Sequence, residues 1–257
     1  SIGRNYLGSL SDQIAALEKR YGLDQPVYMR FIKWSSGILL HGDFGVSLNW
    51  NRPVSTLIWN RLGLTFILSF SALVVHWLVA FPVGIYSAVR RYSFGDYLFT
   101  TIAFVSAAIP HFLIALIILY LLFVTTGSNF TGLNSAQYAE EPWSLAKLWD
   151  AAKHVSVSLF ILGFLGSAHL VRIMRANVLD ELNKPYVTTA RAKGLAERKV
   201  TLKYPVRVAL NPFVSTIGWS LPGLISGTTI TSIVLGLPTP GPLLLRALQA
   251  QDMYLAG

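Results

Sequence analysis

Residues 64–89 read LTFILSFSALVVHWLVAFPVGIYSAV, a stretch without a single Asp, Glu, Lys or Arg side chain. A helix needs about 20 predominantly apolar residues to cross the hydrocarbon core of a bilayer. The stretch shows neither the two-residue alternation of a half-buried strand nor the 3.6-residue stripe of a soluble amphipathic helix. It therefore predicts a helix that spans a membrane.

Three further apolar stretches follow, at residues 98–124, 155–171 and 208–235. The second of these is the shortest, and we expect it to extend outward through His154. Of the 257 residues, 53% are hydrophobic and only 13% are charged, against about a quarter in soluble domains. The predicted fold class is all-α, a polytopic membrane helical bundle with about four spans in this stretch of chain.

Lys and Arg collect between the apolar runs, which is not the spread over a solvated face that a nucleic-acid binder needs. Residues 172–207 hold nine basic and three acidic side chains, whereas residues 125–154 hold two and three. Short cytoplasmic loops retain an excess of Lys and Arg. This rule predicts that residues 172–207 are cytoplasmic and residues 125–154 are external. Residues 1–63 are then external, although they carry seven basic and four acidic side chains.

Residues 1–63 form a segment of their own before the transmembrane domain at 64–257. Residues 9–22 predict a short helix with Ser9 or Ser11 as N-cap and Gly22 as its end. The following aromatic residues favour a small cap at the membrane interface, where Tyr and Trp are enriched. A dedicated ligand-binding element is the alternative.

Residues 186–207 read YVTTARAKGLAERKVTLKYPVR and hold six basic side chains. Pro185 suits the first turn of a helix, and Gly194 suits the left-handed position that ends one. The pattern predicts two short helices joined by a sharp break, with Ala190 and Ala192 small enough for close approach of another protein. An ordinary positively charged cytoplasmic loop is the alternative.

The segment YVTTARAKGL, residues 186–195, resembles the EAA loop of permease subunits in binding-protein-dependent ABC importers. It is most similar to the oligopeptide and dipeptide branch, whose usual form is Tyr-Val-x-Thr-Ala-x-Ala-Lys-Gly-Leu. The stretches GLDQPVYMRFIKW, HGDFGVSL, RPVSTLIWNRL and GLPTPGPLLLRALQAQD extend the resemblance over most of the chain. The Glu that opens the general motif is replaced by Thr188, and Pro212 is the nearest equivalent of its downstream proline.

The resemblance implies about six spans in the full chain, and a cytoplasmic coupling helix that docks on an ATPase subunit. It assigns ATPase coupling to Tyr186, Val187, Thr188, Thr189, Ala190, Arg191, Ala192, Lys193, Gly194 and Leu195. The implied partners are a second homologous permease subunit, two cytoplasmic ATPase subunits, an external solute-binding protein and the lipid of a prokaryotic inner membrane. The implied cargo is an oligopeptide, with oligosaccharides or other small solutes as alternatives.

The sequence contains no Gly-x-x-x-x-Gly-Lys-Ser/Thr loop and no cysteine. We therefore expect no catalytic residue, metal site or cofactor on this chain, and we place ATP and Mg on the partner ATPases. An ion-coupled transporter usually carries charged residues within its spans, and none lies within these four stretches. An intramembrane enzyme needs a nucleophile and base or a metal cluster at membrane depth, which His111 alone does not supply.

Four residues are candidates for the translocation pathway: Pro110, His111, Ser226 and Thr229. Proline within a span bends the helix, and histidine at membrane depth is costly unless it faces protein or water. The hydroxyl groups lie in a span rich in Ser and Thr. The alternatives are a static packing irregularity at Pro110, a neutral His111 satisfied by a neighbouring helix, and hydroxyls that serve helix packing.

Overall fold

A computed structural model of the chain describes residues 25–227 and 229–257, without the side chains of residues 216, 217, 219–222 and 224–227. The helix predicted at residues 9–22, with its N-cap at Ser9 or Ser11, lies outside this part. The described α-helices, in chain order, are α1 (Val27–His41), α2 (Val54–Val89), α3 (Phe94–Ala108), α4 (His111–Thr126), α5 (Leu145–Leu159), α6 (Ala168–Leu182), α7 (Pro185–Ala192), α8 (Glu197–Lys203), α9 (Pro205–Gly227), α10 (Thr229–Val234), α11 (Pro240–Gln249) and α12 (Met253–Ala256).

The described chain divides into two compact units. One comprises the described residues up to Trp59 together with Arg246–Gly257, and the other is Asn60–Leu245. Within the described residues, extended pairing is limited to an isolated bridge between Val46 and Pro53. The predicted all-α class is confirmed for this part of the chain.

In the first unit, α1 begins after Pro26 and ends at Gly42, whose φ of 63° is the left-handed conformation that glycine adopts without strain. No residue of α1 is buried. Large apolar side chains such as Phe31 and Leu39 are exposed.

The Asp252 carboxylate joins the C-terminal residues to the loop after α1 within this first unit. Asp252 is fully buried and accepts hydrogen bonds from the Ser47 hydroxyl at 2.5 Å and the Asn49 amide at 3.2 Å. The Leu255 amide donates a further bond at 3.3 Å. Burial by itself raises the pKa of Asp252, but these hydrogen bonds outweigh it and hold the pKa below its usual value.

The second unit is organised around α2 and the long helical run Leu145–Leu182. A hydrophobic cluster towards one end of α2 joins it to α6 and α9, and includes Ala80, Met174 and Phe213. A second cluster joins α2 to α4 and to the middle of the long run, and includes Leu68 and Ile161. These two clusters fix the position of the long helical run. The end of that run, α6, leads directly into α7.

Glycine allows α2 and α6 to approach closely. A β-carbon on Gly84 would lie 2.7 Å from Cβ of Met174 and 3.0 Å from the carbonyl oxygen of Val171. Both Met174 and Val171 are buried. The two helices therefore meet with backbone against side chain, an arrangement common between membrane helices.

The long run Leu145–Leu182 is not a regular α-helix throughout. Between α5 and α6 it passes through a π-helical turn, Phe160–Phe164, and a 3₁₀ turn, Leu165–Ser167. Side chains of neighbouring helices bond to its carbonyls: His76 Nε2 donates to Leu162 O at 2.9 Å, and the Ser106 hydroxyl donates to Leu165 O at 2.8 Å. The irregular turns are thus supported by α2 and α3.

The stretch predicted as one span at residues 98–124 is two helices, α3 and α4, bent by 102° at their junction. Pro110 has no amide hydrogen, and it pushes the preceding Ile109 into an extended conformation with φ −98° and ψ 129°. The predicted span is therefore divided into two helices at Pro110. The bend predicted at Pro110 is present and far exceeds a proline kink.

Two described helical runs are long and apolar enough to cross a membrane, Val54–Val89 and Leu145–Leu182, and the bent pair of α3 and α4 makes a third if it counts as one span. The run predicted at 155–171 extends in both directions, as far as Leu145 and Leu182. The span predicted at 208–235 falls on α9 and α10. Much of it lies outside the side chains that the structure describes.

Candidate functional site

The basic segment forms the predicted arrangement of helix, break and helix. Lys184, with φ −76° and ψ 148°, separates α6 from α7, and Pro185 occupies the first turn of α7. Gly194 has φ 73°, the left-handed conformation that ends this helix. The second helix, α8, begins at Glu197. The break at Gly194 is therefore confirmed.

A small hydrophobic core holds α7 and α8 together. It consists of Val187 and Ala190 from α7 and Val200 from α8, with Leu195 and Tyr204 packed against it. Val187 and Val200 are fully buried. The two short helices are thus a packed element of the chain.

An ion pair closes the break on its exposed side. Arg191 donates to both carboxylate oxygens of Glu197, from Nη2 at 2.6 Å and from Nε at 3.0 Å. The hydrogen bonds from Arg191 lower the pKa of Glu197, and the carboxylate raises the pKa of Arg191. Both side chains are about half exposed, so water screens the pair and it stabilises the break by about 1 kcal/mol at most.

Tyr186 ties α7 back to the end of α6. Its hydroxyl donates to the carboxylate of Glu181. Partial burial, together with the bond and negative charge of Glu181, raises the pKa of Tyr186 to about 12. The phenol therefore keeps its proton at any physiological pH and holds the first turn of α7 to α6.

The structure separates the ten predicted coupling residues into two groups. Val187 and Ala190 face the small core and are buried, which leaves Ala192 as the exposed one of the two alanines predicted to allow close approach. Ala190 is small because α7 must pack on α8. The residues whose side chains or backbone are exposed are Tyr186, Thr188, Thr189, Arg191, Ala192, Lys193 and Gly194, with Leu195 half-buried.

Two of the candidate pathway residues, Pro110 and His111, lie at the junction of α3 and α4. Pro110 caps α4, and His111, its first residue, is exposed. Thr229 begins α10, which packs along α4. The side chain of Ser226 lies outside the described residues. The structure therefore brings Pro110 and His111 together at the bend, and places Thr229 on a helix that contacts α4.

The sequence prediction missed an ion pair between Asp96 and Arg175. Asp96 lies in the first turn of α3 and Arg175 lies in α6, with Nε to Oδ1 at 2.8 Å and Nη2 to Oδ2 at 2.9 Å. The Ser93 hydroxyl caps α3 by accepting from the Asp96 amide at 3.2 Å. The sequence carried a signal for the position of Asp96 alone, because the Ser-x-x-Asp spacing before an apolar run marks the start of a helix.

Two histidines, His76 and His154, are buried, and histidine is a common metal ligand. Among the described residues, no three His, Asp or Glu side chains cluster as a metal site would require.

Known proteins are similar to this chain over nearly its whole length. A family profile described as the binding-protein-dependent transport system inner membrane component matches residues 80–256. The oligopeptide transport system permease protein AppB of Bacillus subtilis is 34% identical over 245 residues, covering 95% of this chain and 75% of that protein. OppB of Mycobacterium tuberculosis is 30% identical over 237 residues, covering 90% and 72%. The dipeptide permease DppB of Escherichia coli is 28% identical over 265 residues, covering 95% and 77%.

The profile spans well over half of the chain and includes the α7–α8 element, and the relatives align along nearly all of the chain. The resemblance to the peptide-permease branch is confirmed. The chain therefore belongs to the family of binding-protein-dependent transport system inner membrane components, the permease subunits of ABC importers.

Proposed function

We propose that this permease subunit forms half of the translocation pathway of an importer for oligopeptides. The relatives named above transport oligopeptides or dipeptides, and the likeness to them covers nearly the whole chain. Permease subunits of this family are not themselves catalytic. ATP and Mg therefore belong to two cytoplasmic ATPase subunits, a homologous permease supplies the other half of the pathway, and an external binding protein delivers the peptide.

The observation that carries the proposal is the exposed outer face of α7, mounted on its own small core. Thr188, Thr189 and Ala192 are small and exposed, so a groove on another protein can approach the helix backbone closely. Lys193 adds a positive charge beside them. A partner that grips this face moves a rigid element, because α7, Gly194 and α8 are held by core packing and the Arg191–Glu197 pair.

In this proposal, the connection between α7 and α6 transmits the movement of an ATPase to the membrane. Tyr186 and Lys184 connect α7 directly to the end of α6, which is the last part of the long run Leu145–Leu182. A displacement of α7 therefore pulls on a helix long enough to cross the bilayer. Packed helices with two discrete arrangements convert such small shifts into opening and closing.

The proposed orientation follows from the charges of the loops. The excess of basic residues in 172–207 supports a cytoplasmic position for α7 and α8, where an ATPase is available. Residues 125–154 and the segment 1–63, to which α1 belongs, are then external. The exposed apolar and aromatic side chains of α1 suit the interface between the lipid and the external solution.

Uptake by proteoliposomes that contain the complete assembly tests the proposal. We expect a labelled oligopeptide to accumulate only with ATP and the binding protein present, and a labelled oligosaccharide of similar size to remain outside. Accumulation of the oligosaccharide instead would contradict the peptide assignment. Uptake driven by an ion gradient without ATP would contradict the importer class and favour an ion-coupled transporter.

A further inference from the structure

The Asp96–Arg175 pair joins two helices that the proposed mechanism otherwise treats separately. The guanidinium of Arg175 meets the carboxylate of Asp96 with two parallel hydrogen bonds, at 2.8 and 2.9 Å. This two-pronged geometry is the strongest and most directional form of an ion pair between side chains. It fixes both the distance and the rotation between the start of α3 and the face of α6.

Asp96 is built into the fold at this point. Its side chain is only 3% exposed. The Tyr92 amide donates to Oδ2 at 3.0 Å and the Thr100 hydroxyl donates to Oδ1 at 3.2 Å, in addition to the bonds from Arg175. A buried carboxylate with this many donors resists displacement, because any movement of Arg175 away from it leaves a charge buried without its partner.

The pair joins the middle of α6 to the first turn of α3. Arg175 lies seven residues before Leu182, the last residue of α6, about 10 Å along the helix that leads into α7. Asp96 opens α3, the helix that ends at the 102° junction with α4 and at the candidate pathway residue His111. The pair therefore connects the element that the ATPase grips with the bend beside the pathway.

We propose that Asp96 and Arg175 are positioning residues that transmit displacement of α7 to the bent helix pair of α3 and α4. This inference rests on the proposed function of α7. Without the pair, α6 and α3 remain in contact, with the Arg172 guanidinium over the Phe104 ring, but they lose the directional bonds that fix their distance and rotation. With it, rotation or axial movement of α6 carries the first turn of α3 along.

The test uses the complete assembly in proteoliposomes and compares Asp96→Asn with Arg175→Lys. Asp96→Asn keeps the shape and an acceptor oxygen but removes the charge, and Arg175→Lys keeps the charge but loses the two-pronged geometry. We expect peptide transported per ATP hydrolysed to fall by about tenfold in Asp96→Asn, with a smaller fall in Arg175→Lys. Basal ATP hydrolysis should stay near that of the unmodified assembly, since neither residue lies on the exposed face of α7.

Arg172→Gln is the matched control, because Arg172 lies one turn earlier on α6 and its guanidinium is over the Phe104 ring at 5.3 Å. It should leave the transport-to-hydrolysis ratio unchanged. The charge swap, with Asp96→Arg and Arg175→Asp in one chain, should recover part of the ratio lost in Asp96→Asn. A merely structural role predicts parallel losses of assembly and activity, with no change in the ratio.

Three outcomes overturn the inference. An unchanged ratio in Asp96→Asn and Arg175→Lys shows that the pair transmits nothing. Failure of every variant to assemble, the conservative Arg175→Lys included, shows that the pair serves folding alone. An equal fall in Arg172→Gln shows a general loss of charge. Gly194→Val, measured in parallel, separates the two proposals: if it leaves peptide-stimulated hydrolysis intact, the proposed role of α7 has failed as well.

Discussion

Replacing Gly194 by Val perturbs the break between α7 and α8 through the backbone alone. Gly194 has φ 73°, a conformation that costs a residue with a β-carbon about 1–2 kcal/mol, and more if it is β-branched. A β-carbon there would have no atom within 4 Å, so no steric clash adds to that cost. The opposing Arg191–Glu197 pair is half exposed and contributes about 1 kcal/mol at most.

The strain in Gly194→Val thus exceeds the ion pair that closes the break, while the buried Val187 and Val200 keep the helices folded. We expect α7 to lie in a different orientation in most molecules, and peptide-stimulated ATP hydrolysis to fall by about tenfold, the factor that corresponds to 1.4 kcal/mol. Gly194→Asn is the matched control, because Asn adopts the left-handed region more readily than other residues. Equal, unchanged stimulation in both assembled variants would refute the reasoning.

Three further predictions concern other parts of the chain. Gly84→Ala should lower the free energy of unfolding by about 1–3 kcal/mol relative to Gly63→Ala in the same helix, where the added β-carbon meets nothing within 4 Å; equal thermal midpoints would contradict the close contact of α2 with α6. Because the pKa of Asp252 is lowered in the folded state, its contribution to stability is complete above the ordinary value of 3.8 and declines as the pH falls below it. Limited proteolysis of the first unit at falling pH measures that decline, and unchanged protection at the lowest pH would oppose it. His111→Cys and Thr229→Cys should react with a water-soluble thiol reagent, whereas complete protection in every nucleotide state would remove both from the pathway.

Features that depend on a few neighbouring residues were predicted from the sequence. The apolar run at 64–89 forms most of α2, as predicted. A charge-free helix of that length is long enough to cross the hydrocarbon core of a bilayer. The break at Gly194 followed from the preference of glycine for positive φ. Pro110 was likewise expected to bend its span.

Features set by tertiary contacts were not predicted. The size of the bend at Pro110 depends on which helices flank α3 and α4, and a lone proline does not encode it. The burial of Val187 and Ala190 was missed because α7 has only two turns, too few for periodicity to distinguish an inner face from an outer one.

Long-range pairing was equally hidden. Asp96 and Arg175 are 79 residues apart, and each taken alone resembles an ordinary charge near the end of a span. Likewise, no pattern in the sequence predicts that the buried carboxylate of Asp252 accepts from Ser47, 205 residues away. Such contacts arise only when the packed helices bring distant residues together.

The central claim is that the exposed face of α7 docks on an ATPase subunit, and site-specific cross-linking tests it most directly. The chain contains no cysteine, so Thr188→Cys introduces its only thiol. In the complete assembly we predict a cross-link from that thiol to the ATPase, and none from Ser128→Cys, an exposed position in the loop proposed to be external. Absence of a cross-link from Thr188→Cys in every nucleotide state, in an assembly that still hydrolyses ATP, would contradict the claim.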